Sequence, residues 1–110
     1  MFFDRILNNN RISPEDAREL MERGEARLID VRTPGEYSQG HIEGSVLVPL
    51  DRLAFEKDKK IGNPEKPVIV YCLSGNRSST AARMLIKAGY KKVHDLGGIY
   101  SWPYGLTSKT

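Results

Sequence analysis

Short apolar segments alternate with amphipathic helical ones along almost the whole chain, and this alternation restricts the fold more than any other feature of the sequence. Residues 27–31, 45–48, 68–71 and 92–96 read as strands. Ahead of the first, Ser13, Pro14, Glu15 and Asp16 supply an N-cap, a proline at the first helical position and an acidic first turn. Ala17, Leu20 and Met21 then share one helical face, and Gly24 ends the helix. Residues 34–39 read as a turn or a single helical turn, residues 50–55 as a short helix, and residues 57–64 as an exposed loop. Ser78, Ser79 or Thr80 is positioned to cap a further helix whose core stripe is Ala81, Ala82, Leu85 and Ile86, stopped by Gly89. Gly97 and Gly98 open a last segment that runs through Trp102. Short strands separated by helices pair in parallel through right-handed crossovers, which implies an α/β fold of three layers. In such sheets ligands bind outside the carboxyl ends of the strands, and Asp30 and Cys72 each fall at or near such an end.

Cys72 is the only cysteine among the 110 residues. It follows the apolar run 68–71 and opens the loop Leu73, Ser74, Gly75, Asn76, Arg77, Ser78, after which the helical pattern begins. A strand that stops at a thiol, a short glycine-containing turn and a helix start together aim backbone N–H groups and the positive helix end at one sulfur, an arrangement that favours a thiolate nucleophile. One cysteine excludes an intramolecular disulfide, so the thiol is either buried filler or reacts with something outside the chain. A length of 110 residues fits one domain with a core of its own. A reducing, cytoplasmic setting suits the lone thiol, and residues 1–8 interrupt their apolar content with Asp4 and Arg5, unlike a secretory segment or a membrane span.

Charge is distributed unevenly. Residues 1–65 carry 10 Lys/Arg against 13 Asp/Glu, net −3, and residues 66–110 carry 7 against 1, net +6. The basic part contains Cys72, which is consistent with a small anionic substrate; a solvated surface is the competing explanation. The basic residues form no dense run and are not interleaved with aromatics, so nucleic acid is not the expected partner.

Asp30-Val31-Arg32, Glu36-Tyr37, Gly40-His41-Ile42-Glu43-Gly44-Ser45, the loop from Cys72 to Ser78, and Leu96-Gly97-Gly98 with Trp102 occur in an ordered set that resembles a single-domain rhodanese, from about residue 12 to residue 102. The resemblance implies a five-stranded parallel sheet with helices on both faces. It also implies a sulfurtransferase whose cysteine attacks a sulfane donor such as thiosulfate, becomes a persulfide and passes the outer sulfur to cyanide, a thiol or a protein acceptor. This chemistry requires no metal and no cofactor.

Loop N–H groups suit a persulfide because they hold negative charge without a general base. Arg77 is suited either to a donor's anionic group or to clamping the loop on a neighbouring carboxylate, with substrate or loop organisation the favoured role. Ser74 and Ser78 are candidate hydrogen-bond donors to the persulfide, Ser78 doubling as a helix cap, and Leu73 has no evident chemical use. Asp30 and Arg32 read as scaffold, His41 as a satisfied turn residue and His94 as a strand residue, while Trp102, Tyr100 and Tyr104 read as packing. Two alternatives remain. One is a persulfide carrier loaded by a protein partner. The other is a cysteine-dependent phosphatase of related fold, against which stand the four residues between Cys72 and Arg77, one fewer than the resemblance to such phosphatases implies.

Overall fold

The structure, a computed structural model, describes residues 10–109; the reading of residues 1–8 lies outside the described residues. Four helices, α1 (Pro14–Glu22), α2 (Pro34–Gln39), α3 (Leu53–Lys60) and α4 (Asn76–Lys87), alternate with four strands, β1 (Arg27–Asp30), β2 (Ser45–Leu47), β3 (Val68–Cys72) and β4 (Val93–Gly98). Single 3-10 turns, Leu50–Arg52 and Ile99–Ser101, precede α3 and follow β4. All strand pairs are parallel, in the order β2-β1-β3-β4.

The expected fifth strand is reduced, among the described residues, to one parallel bridge between Arg11 and Asp95 on the outer edge of β4. Asp95 donates its N–H to the Asn10 carbonyl and accepts from the Ile12 N–H, and Pro14 then starts a helix, which stops the ladder on its C-terminal side. Two further expectations are corrected. Residues 57–60 belong to α3, where Glu56 is flanked one turn away by Arg52 and by Lys60. Helix α4 begins at Asn76, ahead of the expected caps, and Ile86 faces solvent while Met84 packs against the core.

Alternation along β3 makes the three layers. Val68, Val70 and Cys72 point into one core with Leu53, Ala81, Ala82 and Leu85 from α3 and α4, while Ile69 and Tyr71 point into a second core with Ala17 of α1, Leu28, Leu96 and Ile99. The middle strand is thus buried on both sides, which is why it reads as an unbroken apolar run. In order 2-1-3-4 the chain leaves β1 toward one edge and β3 toward the other. A crevice therefore opens between the carboxyl ends of β1 and β3, the switch point at which α/β sheets bind ligands.

No helix among the described residues is long and apolar enough to cross a membrane.

Candidate active site

Cys72 is the last residue of β3, is fully buried, and lies at that switch point. Its Sγ accepts two backbone hydrogen bonds, from the Gly75 N–H at 3.0 Å and the Ser78 N–H at 3.3 Å. Gly75 makes the return possible: its φ of +108° lies in the left-handed region, which a side chain disfavours, and it takes the N-cap position of α4. Ser78 is in the first turn of α4, whose N–H groups have no acceptor within the helix, so the sulfur serves as one. The Ser78 hydroxyl donates back to the Gly75 carbonyl at 3.1 Å and fixes the turn rather than reaching the sulfur. Ser74 and Asn76 are exposed on the loop, and Leu73 packs against the core on the α1 side, which gives that residue a structural use that the sequence left open.

Arg77 directs its fork onto Glu36, Nη1 to Oε1 at 2.7 Å and Nη2 to Oε2 at 2.9 Å. Glu36 is the N3 residue of the capping box of α2. Its Oε1 also accepts from the Thr33 N–H at 2.8 Å and hydroxyl at 3.1 Å, while its own N–H donates to Thr33 Oγ1. Chiefly through the Arg77 hydrogen bonds, the Glu36 carboxyl is lowered from 4.5 to about 2, and Arg77 is raised by the same contact. The loop that follows β1 and the loop that follows β3 are thereby tied together across the crevice.

Beneath this tie, Arg32 binds Asp30 with Nε at 3.0 Å from Oδ1 and Nη2 at 2.8 Å from Oδ2, and donates to the Gly40 carbonyl at 2.7 Å. Both side chains are buried, and they brace the end of β1 against Gly40. His41 is buried, stacked on Tyr37 at 3.6 Å with Nδ1 2.8 Å from the Tyr37 carbonyl. His94, partly buried on β4, has its pKa lowered by burial first and by Lys92 second. Trp102 packs on the α1-side core and meets Tyr104 edge to face at 4.9 Å, whereas Tyr100 is exposed. A cavity of about 650 Å³ bordered by Met21, Ile42, Val46, Trp102 and Leu106 has none of residues 72–78 in its wall.

Sequence reasoning missed two residues here. One is Glu36 as the partner of Arg77, although Thr33 and Glu36 carry the spacing of a capping box. The other is Gly98. An irregularity in the β3–β4 register, between Val70 and Tyr71, brings Gly98 opposite Cys72, and a Cβ at position 98 would lie 2.7 Å from the Leu73 carbonyl oxygen. The paired glycines after a strand were the available sign of a close backbone approach.

The sequence and the fold both have counterparts among known proteins. The thiosulfate sulfurtransferase GlpE of Pseudomonas paraeruginosa is 38% identical over 93 residues, covering 84% of this chain and 82% of that protein. A rhodanese-related protein from Thermoplasma volcanium superimposes with a TM-score of 0.78 at 30% identity, covering 91% of this chain and 99% of the other. A Rhodopseudomonas palustris protein described as a possible tyrosine phosphatase gives a TM-score of 0.74 at 30% identity, covering 84% and 78%. The model of the rhodanese-like domain matches residues 13–103, a span that includes β1, the Cys72 loop and Gly98, and the chain belongs to that family.

Proposed function

We propose that the protein is a sulfurtransferase of the thiosulfate sulfurtransferase type in which Cys72 carries the sulfur in transit. The Cys72 thiolate attacks the outer sulfur of a small anionic donor such as thiosulfate. The donor S–S bond breaks, sulfite leaves with its electron pair, and Cys72 holds a persulfide. A thiophilic acceptor, cyanide or a thiolate, then uses its own electron pair to bond the outer sulfur, and Cys72 is released as thiolate.

The observation that carries this reading is the convergence of the Gly75 and Ser78 N–H groups on Sγ at the start of α4. Both donors are backbone dipoles fixed before reaction, so they stabilise negative charge on sulfur without rearranging when it forms. The first-turn N–H groups of Asn76 and Arg77, which lack acceptors within the helix, are the next donors available to the outer sulfur. The relatives named thiosulfate sulfurtransferases support the same assignment. A reactive thiol of this kind suits a reducing compartment, and we read the protein as cytoplasmic.

Intact mass tests the reading. Thiosulfate is expected to add the mass of one sulfur atom to the wild type and none to Cys72→Ser, and cyanide to remove it with thiocyanate as product. Equal sulfur uptake by the variant would overturn the assignment of Cys72.

The Rhodopseudomonas neighbour raises phosphate-ester hydrolysis as a second reading. The loop argues against it. Only four residues separate Cys72 from Arg77, two N–H groups already bond Sγ, and both Arg77 terminal nitrogens are engaged by Glu36, so the loop is tight and its arginine fork is not open to a tetrahedral anion. Turnover of an aryl phosphate is expected to be negligible; Cys72-dependent hydrolysis without sulfur transfer would replace the sulfurtransferase reading.

A further inference from the structure

The Arg77–Glu36 pair joins α2 to the first turn of α4, the helix that follows the sulfur loop, and both side chains are partly exposed. Arg77 immediately precedes Ser78, whose N–H bonds Sγ, so the guanidinium is the cation built into the sulfur loop. Its fork is occupied on both prongs by one carboxylate. That carboxylate is itself oriented by the Thr33 N–H and hydroxyl, so it is not a wandering surface group that happens to meet an arginine. Its low pKa keeps it ionised across the neutral range. An anionic donor approaching Cys72 thus meets a guanidinium whose charge is already compensated by that carboxylate.

We propose that Glu36 is a specificity-determining residue that acts through Arg77, screening the loop's cation so that donor affinity falls with the donor's negative charge. The proposal rests on Cys72 as the sulfur-accepting atom. Glu36 also positions Arg77, and with it the Ser78 end of the loop, but the screening is what a purely structural role does not supply. Thiosulfate, a dianion, is penalised more than a sulfane donor carrying one charge. Benzenethiosulfonate is such a donor: Cys72 attacks its outer sulfur in the same way, the S–S bond breaks, and benzenesulfinate leaves with the electron pair.

Glu36→Gln tests this because it preserves shape and a carbonyl oxygen for Arg77 and the Thr33 N–H while deleting the charge. The expected result is a KM for thiosulfate lowered about fivefold and a KM for benzenethiosulfonate lowered about twofold, with kcat little changed, both gains fading at about 0.5 M salt. Glu36→Asp keeps the charge and is expected to show no such gain. A binding measurement independent of turnover uses Cys72→Ser with and without Glu36→Gln: thiosulfate, followed through the Gly75 and Ser78 amide resonances, is expected to bind about fivefold more tightly to the double variant. Unchanged or weaker binding, or equal changes in KM for the two donors, would overturn the proposal and leave Glu36 a structural clamp. Failure of the wild type to take up sulfur, with the tighter binding still present, would instead overturn the sulfurtransferase reading and leave the screening role in place.

Discussion

Substituting Gly98 by alanine isolates what holds the sulfur loop in position. Gly98 has φ −86° and ψ 144°, an extended backbone open to any residue, so alanine meets no torsional penalty there and the whole effect is contact. The added Cβ would lie 2.7 Å from the Leu73 carbonyl oxygen, 3.1 Å from Ser74 Cα and 3.2 Å from the Ser74 carbonyl carbon. All three atoms are backbone and no rotamer change relieves them. Restoring an ordinary carbon–oxygen contact requires a shift of about half an ångström in residues 73 and 74 or in β4. Overpacking of this kind costs about 1–3 kcal/mol, or roughly 5–15 °C in Tm for a domain of this size. The same shift carries the Gly75 N–H off its 3.0 Å contact with Sγ. Since a displacement of about 1 Å lowers rates roughly a hundredfold, persulfide formation is expected to fall about tenfold.

Gly44→Ala is the matched control. Gly44 has φ +89° with no atom within 4 Å of the added Cβ, so that substitution brings backbone strain of about 1–2 kcal/mol and no contact with the loop. Single-turnover sulfur uptake by intact mass, at a temperature where both variants are folded, separates the two effects. A Gly98→Ala protein that melts and reacts like Gly44→Ala, or that keeps the wild-type rate, would refute the argument that β4 buttresses the loop.

Three further outcomes follow from the same geometry. The Glu36 carboxyl titrates at about 2 when folded against 4.5 for the free group, so its contribution to stability is fully present above pH 4.5 and is lost as pH falls through about 2. Allowing for solvent screening of a partly exposed pair, Glu36→Gln is expected to cost about 1–2 kcal/mol in urea at pH 7 and progressively less as pH approaches 2, and a difference independent of pH would contradict the ion-pair origin. Tyr71→Phe leaves the buried Ile42 N–H without the phenolic oxygen that accepts it at 3.1 Å and removes the donor to Ser45 Oγ at 3.2 Å; a loss of about 1–3 kcal/mol in denaturant titration is expected, and none would mean that water replaces the hydroxyl. Leu85→Ala deletes a fully buried α4 side chain from the core that holds Cys72 and is expected to lower stability by about 2–5 kcal/mol, with sulfur uptake by the folded protein retained; selective loss of uptake at full stability would mean that α4 orients the loop more loosely than its packing implies.

Sequence carried the fold wherever one local rule governed one segment. Ser13 and Pro14 start α1 as their chemistry requires, with the Ser13 hydroxyl accepting from the Asp16 N–H, and 68–71 is apolar without interruption because β3 is covered on both faces. It failed where two segments compete. The hydroxyls of Ser78, Ser79 and Thr80 look like caps, but the Ser78 N–H finds Sγ and its hydroxyl finds the Gly75 carbonyl, so glycine occupies the cap and the helix starts earlier. Residues 57–60 have the composition of a loop, yet they continue the helix, and Lys60 pairs along its face with Glu56 one turn away. The fifth strand was implied by resemblance and, among the described residues, is the single Arg11 bridge, which Pro14 stops on its C-terminal side by beginning a helix.

At the site, the turn around the Cys72 thiol was legible and its surroundings were not, for a reason that lies in the topology. Cys72, Gly75 and Ser78 are local in sequence, and a strand, a glycine turn and a helix start fix their relation. Glu36 is 41 residues from Arg77, and Gly98 pairs with Cys72 only after the register irregularity in β4. Both arrive through the order of strands: β1 and β3 are neighbours although a helix, a strand and another helix separate them in the chain, and β4 flanks β3 on its other side. The crevice between β1 and β3 is thus formed by residues whose individual sequence signals, a capping box and a pair of glycines, already had sufficient explanations of their own. Charge added to the Cys72 loop by Arg77 is answered by charge delivered from the far side of the switch point, so α2 is tied to the loop that bears the thiol although neither segment signals the other in the sequence.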